Sequence, residues 1–308
     1  MKIYRGLSDP RLKRRGRCLA VGIFDGVHRG HMAILKKALR AARASRLGSL
    51  VVTFEPHPQK VLSGKKSALK VLMSLEHRLR LFSSLGLREA LVIRFNKKFS
   101  RLTHEDFLRL LIEKTGMRAL SVGDDFRFGR FAKGDRDYLK QASRKLGFRL
   151  FLTRPLKFRG RVISSTRIRR LIEGGDLAQA ARLLGRPVSL YGTVVHGHGR
   201  GRSLGFPTAN LDPHHETLPP EGVYAVHGRV NGSRSAVDGV LHIGKKPTFA
   251  DAEKSVEAHL FGRKGDLYGR ELELFFVRRL RGIRRFRNGR ELARAIERDT
   301  QRARRILA

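Results

Sequence analysis

The chain has a single cysteine, Cys18, and no tryptophan. One cysteine excludes an intrachain disulfide, so the core alone must hold the fold, as expected in a reducing compartment. No apolar run approaches the roughly 18 residues that a membrane-crossing helix needs. The run Cys18–Phe24 stops at Asp25 after seven residues. Basic residues from Arg11 to Arg17 ahead of it imitate a secretory leader, but no small-residue cleavage pattern follows. A cytoplasmic protein with no membrane partner is the expectation.

Acidic residues are also scarce: 27 Asp and Glu stand against 66 Lys and Arg, a net charge of +39. Such an excess attracts polyanions and makes association salt-dependent. A dedicated nucleic-acid partner would call for a groove-reading element or aromatic residues set on a basic face. With five tyrosines and no binding motif, none is expected, and a solvated basic surface suited to anionic substrates is favoured. A polyanion-binding protein remains the alternative of another class.

What is present suffices for about two domains at this length, with 41% hydrophobic residues to fill them. Apolar runs at Leu19–Phe24, Leu50–Phe54, Ala90–Ile93, Ala119–Val122 and Arg149–Leu152 read as short buried strands. Helical spacing separates them: Met32, Leu35, Leu39 and Ala42 recur after His31, and a capping-box-like start at Thr103 and Asp106 opens a helix ending near Gly116. This alternation predicts a Rossmann-like α/β domain with a parallel sheet. From about Arg186 the pattern changes to Ser189–Val195, Gly222–Val230, Val237–Ile243, Val256–Leu260 and Glu271–Val277, with a hairpin signal at Asn231-Gly232 and a helix from Glu291 to Leu307. A small antiparallel β-barrel with a C-terminal helix is predicted there. Ile163–Gly185 reads as helices closing the first domain. The predicted domains are 1–185 and 186–308.

Two segments carry chemistry. In Gly22-Ile-Phe24-Asp25-Gly26-Val-His28-Arg-Gly-His31 an apolar strand ends and a helix begins, a natural anion seat. The glycines allow close backbone approach, and His28 and His31 face one side of the first turn, able to donate to phosphate oxygens. A His-x-x-His metal pair is the competing reading, and it lacks further ligands at metal spacing. Ser164, Ser165 and Thr166 supply hydroxyls, and Arg167 and Arg169 supply guanidinium groups, for a polyphosphate.

Further on, Gly197 to Gly205 is rich in glycine and arginine, and Gly199, Arg200, Gly201 and Arg202 could wrap phosphates. Pro207-Thr208-Ala-Asn210 follows. In an extended chain Thr208 and Asn210 share a side, where a hydroxyl and an amide oxygen could bind Mg²⁺ and orient a γ-phosphate. In Val256–Leu260, Glu257 and His259 share a face opposite to Val256, Ala258 and Leu260. Gly239 to Lys246 imitates a Walker loop but puts a lysine where the metal-binding hydroxyl belongs, and Pro247 blocks the helix that should follow.

With Phe54-Glu-Pro56-His-Pro58 and Val122-Gly-Asp-Asp125-Phe-Arg-Phe-Gly129, the histidine and Ser/Thr/Arg segments resemble the nucleotidyltransferase superfamily. They are most similar to the FAD synthetase module of prokaryotic bifunctional riboflavin kinase/FAD synthetases. Pro-Thr-x-Asn, Gly222-Val-Tyr224, Ile243 to Phe249, Val256 to His259 and Asp266 to Gly269 resemble the riboflavin kinase module of that family. The resemblance implies ATP, riboflavin and FMN as substrates and Mg²⁺ as cofactor. It implies Asp125 near nucleotide or flavin, Phe54 and Pro56 bordering the flavin, and Glu257 as general base. Ile283 stands where that family usually has a glutamate, and His242 where it commonly has an asparagine. An adenylyltransferase for another phosphorylated acceptor is the remaining alternative. Oligomeric state, including a homo-oligomer, is left open.

Overall fold

The computed structural model describes all residues except 64–68, 197–205, 215–216, 232, 234, 246–253, 264 and 285, with only the backbone of Lys245 and Lys254. The chain divides by packing into two units: Met1–Val71 with Leu75–Ser165, and Leu72–Ser74 with Thr166–Ala308. The helices over 165–184, predicted to close the first domain, therefore fall almost wholly in the second packing unit. Gly175 shows part of the reason: a Cβ there would touch Pro220 Cγ at 3.3 Å.

The first unit is a six-stranded, fully parallel sheet. Its strands are β1 (Lys2–Arg5), β2 (Arg17–Val21), β3 (Gly48–Glu55), β4 (Glu89–Arg94), β5 (Met117–Gly123) and β6 (Arg149–Thr153), in the order β1-β4-β3-β2-β5-β6. Helices α1 (Arg29–Ala44), α2 (Pro58–Leu62), α3 (Leu75–Ser84), α4 (His104–Thr115) and α5 (Arg136–Leu146) connect them. Every residue of β2 is buried, as a parallel strand covered on both faces requires. One face packs Leu19, Val21, Leu50, Val52 and Leu120 against Phe107, Leu108 and Leu111 of α4. The predicted cap of α4 is present: Thr103 Oγ1 accepts from Asp106 N at 3.1 Å, and Gly116 ends the helix left-handed.

The strand expected to reach Phe24 stops at Val21. Phe24 (φ 55°), Gly26 (φ 84°) and Val27 (φ 39°) turn into left-handed backbone, which no strand ladder accommodates. This turn sits at the carboxyl end of β2, where chain order departs toward β3 on one side and β5 on the other, the usual ligand crevice of such sheets.

A short hairpin, β7 (Lys157–Phe158) and β8 (Arg161–Val162), leads to α6 (Ser165–Glu173) and α7 (Leu177–Leu184). The second unit is a closed barrel in the order β10-β13-β12-β11-β14-β9. Its strands are β9 (Ser189–Val195), β10 (Ala209–Asp212), β11 (Gly222–Val230), β12 (Val237–Lys245), β13 (Lys254–Leu260) and β14 (Glu271–Arg281), all antiparallel to their neighbours. Closure removes the open edges that a six-stranded sheet would present. Helix α8 (Gly289–Leu307) lays Ala303, Ile306 and Leu307 on Val223, Ala225, Val240 and Leu280. Arg281 clasps the buried Asp299 of α8 through Nε and Nη2 at 2.8–3.1 Å. Gly232 of the expected hairpin turn lies outside the described residues.

Candidate active sites

In the first unit, His28 caps α1: its Nδ1 accepts from His31 N at 3.3 Å, and its carbonyl accepts from Met32 N at 2.8 Å. Because Nδ1 is the acceptor, the neutral ring carries its proton on Nε2. The two imidazoles stack with centroids 3.6 Å apart and an interplanar angle of 19°. Gly30 makes room for this, since a Cβ there would lie 3.1 Å from His28 Cε1. Phe24, itself buried, abuts His31 edge-on at 5.4 Å and Phe82 at 5.8 Å. Ser165 Oγ donates to the Asp25 carbonyl at 2.8 Å and ties the turn down. No acidic side chain occupies the first turn of α1, so its N-terminus keeps its attraction for anions.

A cavity of about 840 Å³ opens here, all of it within the first unit. Gly22, Phe24, Asp25, His31, Asp125 and Ser165 line one part of it. Phe54, Phe95, Phe99, Phe107, Phe126 and Phe128 line another, with Phe126 and Phe128 stacked at 5.3 Å. The space is therefore polar beside a helix N-terminus and aromatic beyond it, which suits a ligand with both phosphate and a flat ring. Of the two predicted ring-side residues, Phe54 lines the cavity. Pro56 is exposed, and His57 and Pro58 make the wall instead, because the chain turns outward after Glu55. Ser164 does not line the cavity. Thr166, Arg167 and Arg169 belong to the second packing unit, where Arg167 donates to Gln179 Oε1 at 3.4 Å.

Sequence reasoning missed Arg78. It is buried on α3 among Leu75, Leu79 and Phe82, and donates to Ile23 O at 2.8 Å and Thr53 Oγ1 at 2.9 Å, and also to Glu55. Burial lowers its proton affinity and raises that of Glu55, while the Glu55 and Asp25 charges pull Arg78 back up. Arginine stays charged throughout. Arg78 thus fixes the strand end from which the turn before α1 departs. An arginine on the apolar face of a helix was the available signal.

On the barrel, Asn210 of β10 sits directly across from Glu257 of β13. Thr208 immediately precedes the first residue of β10. Val256, Ala258 and Leu260 are buried while Glu257 and His259 are half-buried, and His259 Nδ1 lies 2.8 Å from the Pro207 carbonyl, which fixes the chain entering β10. An amide oxygen and a carboxylate thus share one face, with the Thr208 hydroxyl just ahead of the strand. Hard oxygen donors of this kind fit Mg²⁺. Among the described residues no group of three or more His, Cys, Asp or Glu is placed to hold a metal. Gly199, Arg200, Gly201 and Arg202, like Lys246 and Pro247 of the Walker-like segment, lie outside the described residues.

A histidine-capped helix over a parallel sheet, followed by a small closed barrel with an oxygen-rich strand pair, defines a two-module phosphate-transfer protein. Residues 11–167 match the FAD synthetase family model, and residues 184–307 match the riboflavin kinase model. The chain belongs to the bifunctional riboflavin kinase/FMN adenylyltransferase family. It is 37% identical over 306 residues to the Escherichia coli K12 member, covering 99% of this chain and 97% of that one. The Pseudomonas fluorescens member is 36% identical, with 100% and 98% covered, and the Bacillus subtilis member 35%, with 92% and 90%. A crystal structure named as a macrolide-efflux protein from Streptococcus pneumoniae shares the fold, with a TM-score of 0.83, 28% identity and 99% of each chain covered. No helix among the described residues is long and apolar enough to cross a membrane.

Proposed function

We propose that this enzyme makes FMN and then FAD: it phosphorylates riboflavin at its ribityl 5′ hydroxyl with ATP, and adenylylates FMN with release of pyrophosphate. Residues 186–308 carry the first reaction and residues 1–185 the second. The observation that carries the reading is the pairing of full-length family membership with two separate, chemically different sites in one chain.

Adenylyl transfer requires the FMN phosphate to attack the α-phosphorus of ATP while negative charge moves onto the departing pyrophosphate. His28 and His31, at the positive end of α1, are aimed to stabilise that charge. Ser164 and Ser165, in the same unit as the histidines, are assigned to the triphosphate. Gly22, Gly26 and Asp125 border the nucleotide, and the phenylalanine cluster holds the flavin ring. In the barrel, Glu257 accepts the proton of the riboflavin hydroxyl as its oxygen bonds to the γ-phosphorus. Thr208 and Asn210 would hold Mg²⁺, which neutralises phosphate charge when bound. Gly199 to Arg202 and Pro207 are assigned to the ATP phosphates. Lone Cys18 has no part: it is buried, and burial pushes its thiol up to about 11. A cytoplasmic location belongs to the same proposal, with no dedicated nucleic-acid partner.

Two variants of the full chain test this division, with flavins resolved by chromatography. Glu257→Gln should cut FMN formation by about 100-fold or more while FAD is still made from supplied FMN. His28→Ala combined with His31→Ala should do the reverse. Loss of both activities in either folded variant would refute the two-site assignment.

A further inference from the structure

The two most exposed large apolar side chains among the described residues are Phe131, at 78%, and Leu62, at 65%. Both border the cavity of the first unit. Single exposed apolar residues are ordinary on a protein surface. Two of them on one cavity, which is lined further in by stacked phenylalanines, form an uncovered apolar rim.

Phe131 is held on that rim against its own backbone preference. Phe131 (φ 56°, ψ 23°) and Ala132 (φ 55°) are consecutive left-handed residues, and neither is glycine. Left-handed backbone crowds a Cβ against the following carbonyl oxygen, so such residues persist only where their surroundings impose them. Here the surroundings do. Phe128 N donates to Gly134 O at 3.1 Å and Gly134 N to Phe128 O at 2.9 Å, which closes the base of the loop. Arg130 N donates to Leu102 O at 2.7 Å. Gly129 leaves no slack, since a Cβ there would lie 2.5 Å from His104 N, at the start of α4. The Arg130 guanidinium lies over the Phe131 ring, its Cζ 4.7 Å from the centroid, and steadies that ring. The ring takes no part in the phenylalanine core of the unit. The loop therefore displays an aromatic side chain to solvent at the cavity, where folding has no use for it.

We propose that Phe131 is a binding residue for the acceptor in adenylyl transfer: its ring packs on the flat ring system of FMN and covers the part that the deeper phenylalanines leave to water. The inference rests on the adenylylation of FMN assigned to this cavity. Flat rings pack well on phenylalanine, and the stacked pair Phe126 and Phe128 belongs to the same loop. Phe131 touches the flavin ring and none of the reacting phosphates. It holds ground state and transition state alike, so it acts on KM for FMN and not on kcat.

The test uses the full chain. Phe131→Gly should raise KM for FMN in FAD formation about tenfold, with kcat and KM for ATP within about twofold of the parent. Phe131→Asn, which also tolerates left-handed backbone but lacks the freedom of glycine, should show the same rise, and Phe131→Tyr should match the parent. Because the lost side chain is exposed and glycine accepts this backbone, the melting temperature of Phe131→Gly should stay within about 2 °C of the parent or rise. An unchanged KM for FMN overturns the proposal, as does a large fall in melting temperature, which would make the ring structural. A second readout needs no turnover. The chain has no tryptophan, so Phe131→Trp introduces a single indole. Saturating FMN should then produce a charge-transfer tail on the long-wavelength side of the flavin absorption band, which requires ring contact and is missing in the parent. No tail overturns the contact. If the parent makes no FAD from FMN, it is the adenylyltransferase reading that fails, and the charge-transfer tail still decides whether Phe131 meets the flavin.

Discussion

Gly22→Ala is the sharpest probe of the first site, because its effect should travel through contacts to groups it does not itself touch. The backbone at Gly22 is not left-handed, so any cost is steric. An added Cβ would lie 2.9 Å from Phe24 Cζ, 3.0 Å from Cε1 and 3.3 Å from Cε2. Carbon atoms rest at about 3.5–4.0 Å, so the ring must retreat by about 0.6–1 Å. Phe82, fully buried, resists on one side. His31 borders the cavity and yields more readily, and the stack carries the shift to His28. Overpacking of this kind costs about 1–3 kcal/mol, a fall of several degrees in the melting temperature of this unit. A catalytic group misplaced by about 1 Å loses about 100-fold in rate. We expect kcat/KM for FAD formation from FMN to fall about 10- to 100-fold, with riboflavin phosphorylation within about twofold of the parent. FAD formation within about threefold of the parent in a folded variant would refute the contact argument. So would an equal loss of both activities.

Other outcomes follow from single contacts. Glu89 is buried and accepts from Arg17 at 3.0 and 3.2 Å, from Arg15 at 2.8 Å and from the Tyr4 hydroxyl. Burial alone would raise its pKa, but these donors outweigh it and hold the carboxyl at about 2. Its contribution to stability is therefore complete above the unfolded value of about 4.3 and is lost as pH falls from there toward about 2. Glu89→Gln should cost about 3–5 kcal/mol near neutrality and flatten the acid limb of urea-midpoint measurements. An unchanged midpoint would show that the cluster adds nothing. Gly192→Ala would put a Cβ 2.0 Å from the Asp212 carbonyl oxygen, where β9 meets β10. It should open the barrel beside Asn210 and abolish FMN formation, leaving FAD formation from FMN as the measurable survivor. Retained FMN formation would place the barrel closure elsewhere.

Some of the site could be read along the chain. The three-residue spacing of His28 and His31 put both rings on one turn, and they are stacked there. The Pro-Thr-x-Asn segment pointed to an extended chain, and β10 begins one residue after Thr208. Other parts left a weaker trace. Arg78 reads as an ordinary helical arginine until its neighbours are seen to be core. The cavity phenylalanines come from β3, α4 and the loops after β4 and β5, so their convergence reflects strand order, which local spacing does not encode. Pro56, one residue from the true wall, shows how a motif can locate a site while missing the side chain that faces it.

By itself the sequence determined the kinds of layer and the chemistry available. Its periodicities specify buried parallel strands, amphipathic helices and half-buried antiparallel strands, because side chains must match the solvent on each face. Its histidines, hydroxyls, amide and carboxylate are groups suited to phosphate transfer. The tertiary structure decided which of these groups meet. It ended β2 at Val21 and tied the turn that follows to Arg78 and Ser165. It grouped the helices from Thr166 onward with the barrel, and it set Glu257 between Asn210 and His242. The reason is physical: pairing register and packing depend on residues far apart in the chain, and a one-residue slip would turn Glu257 to the opposite face.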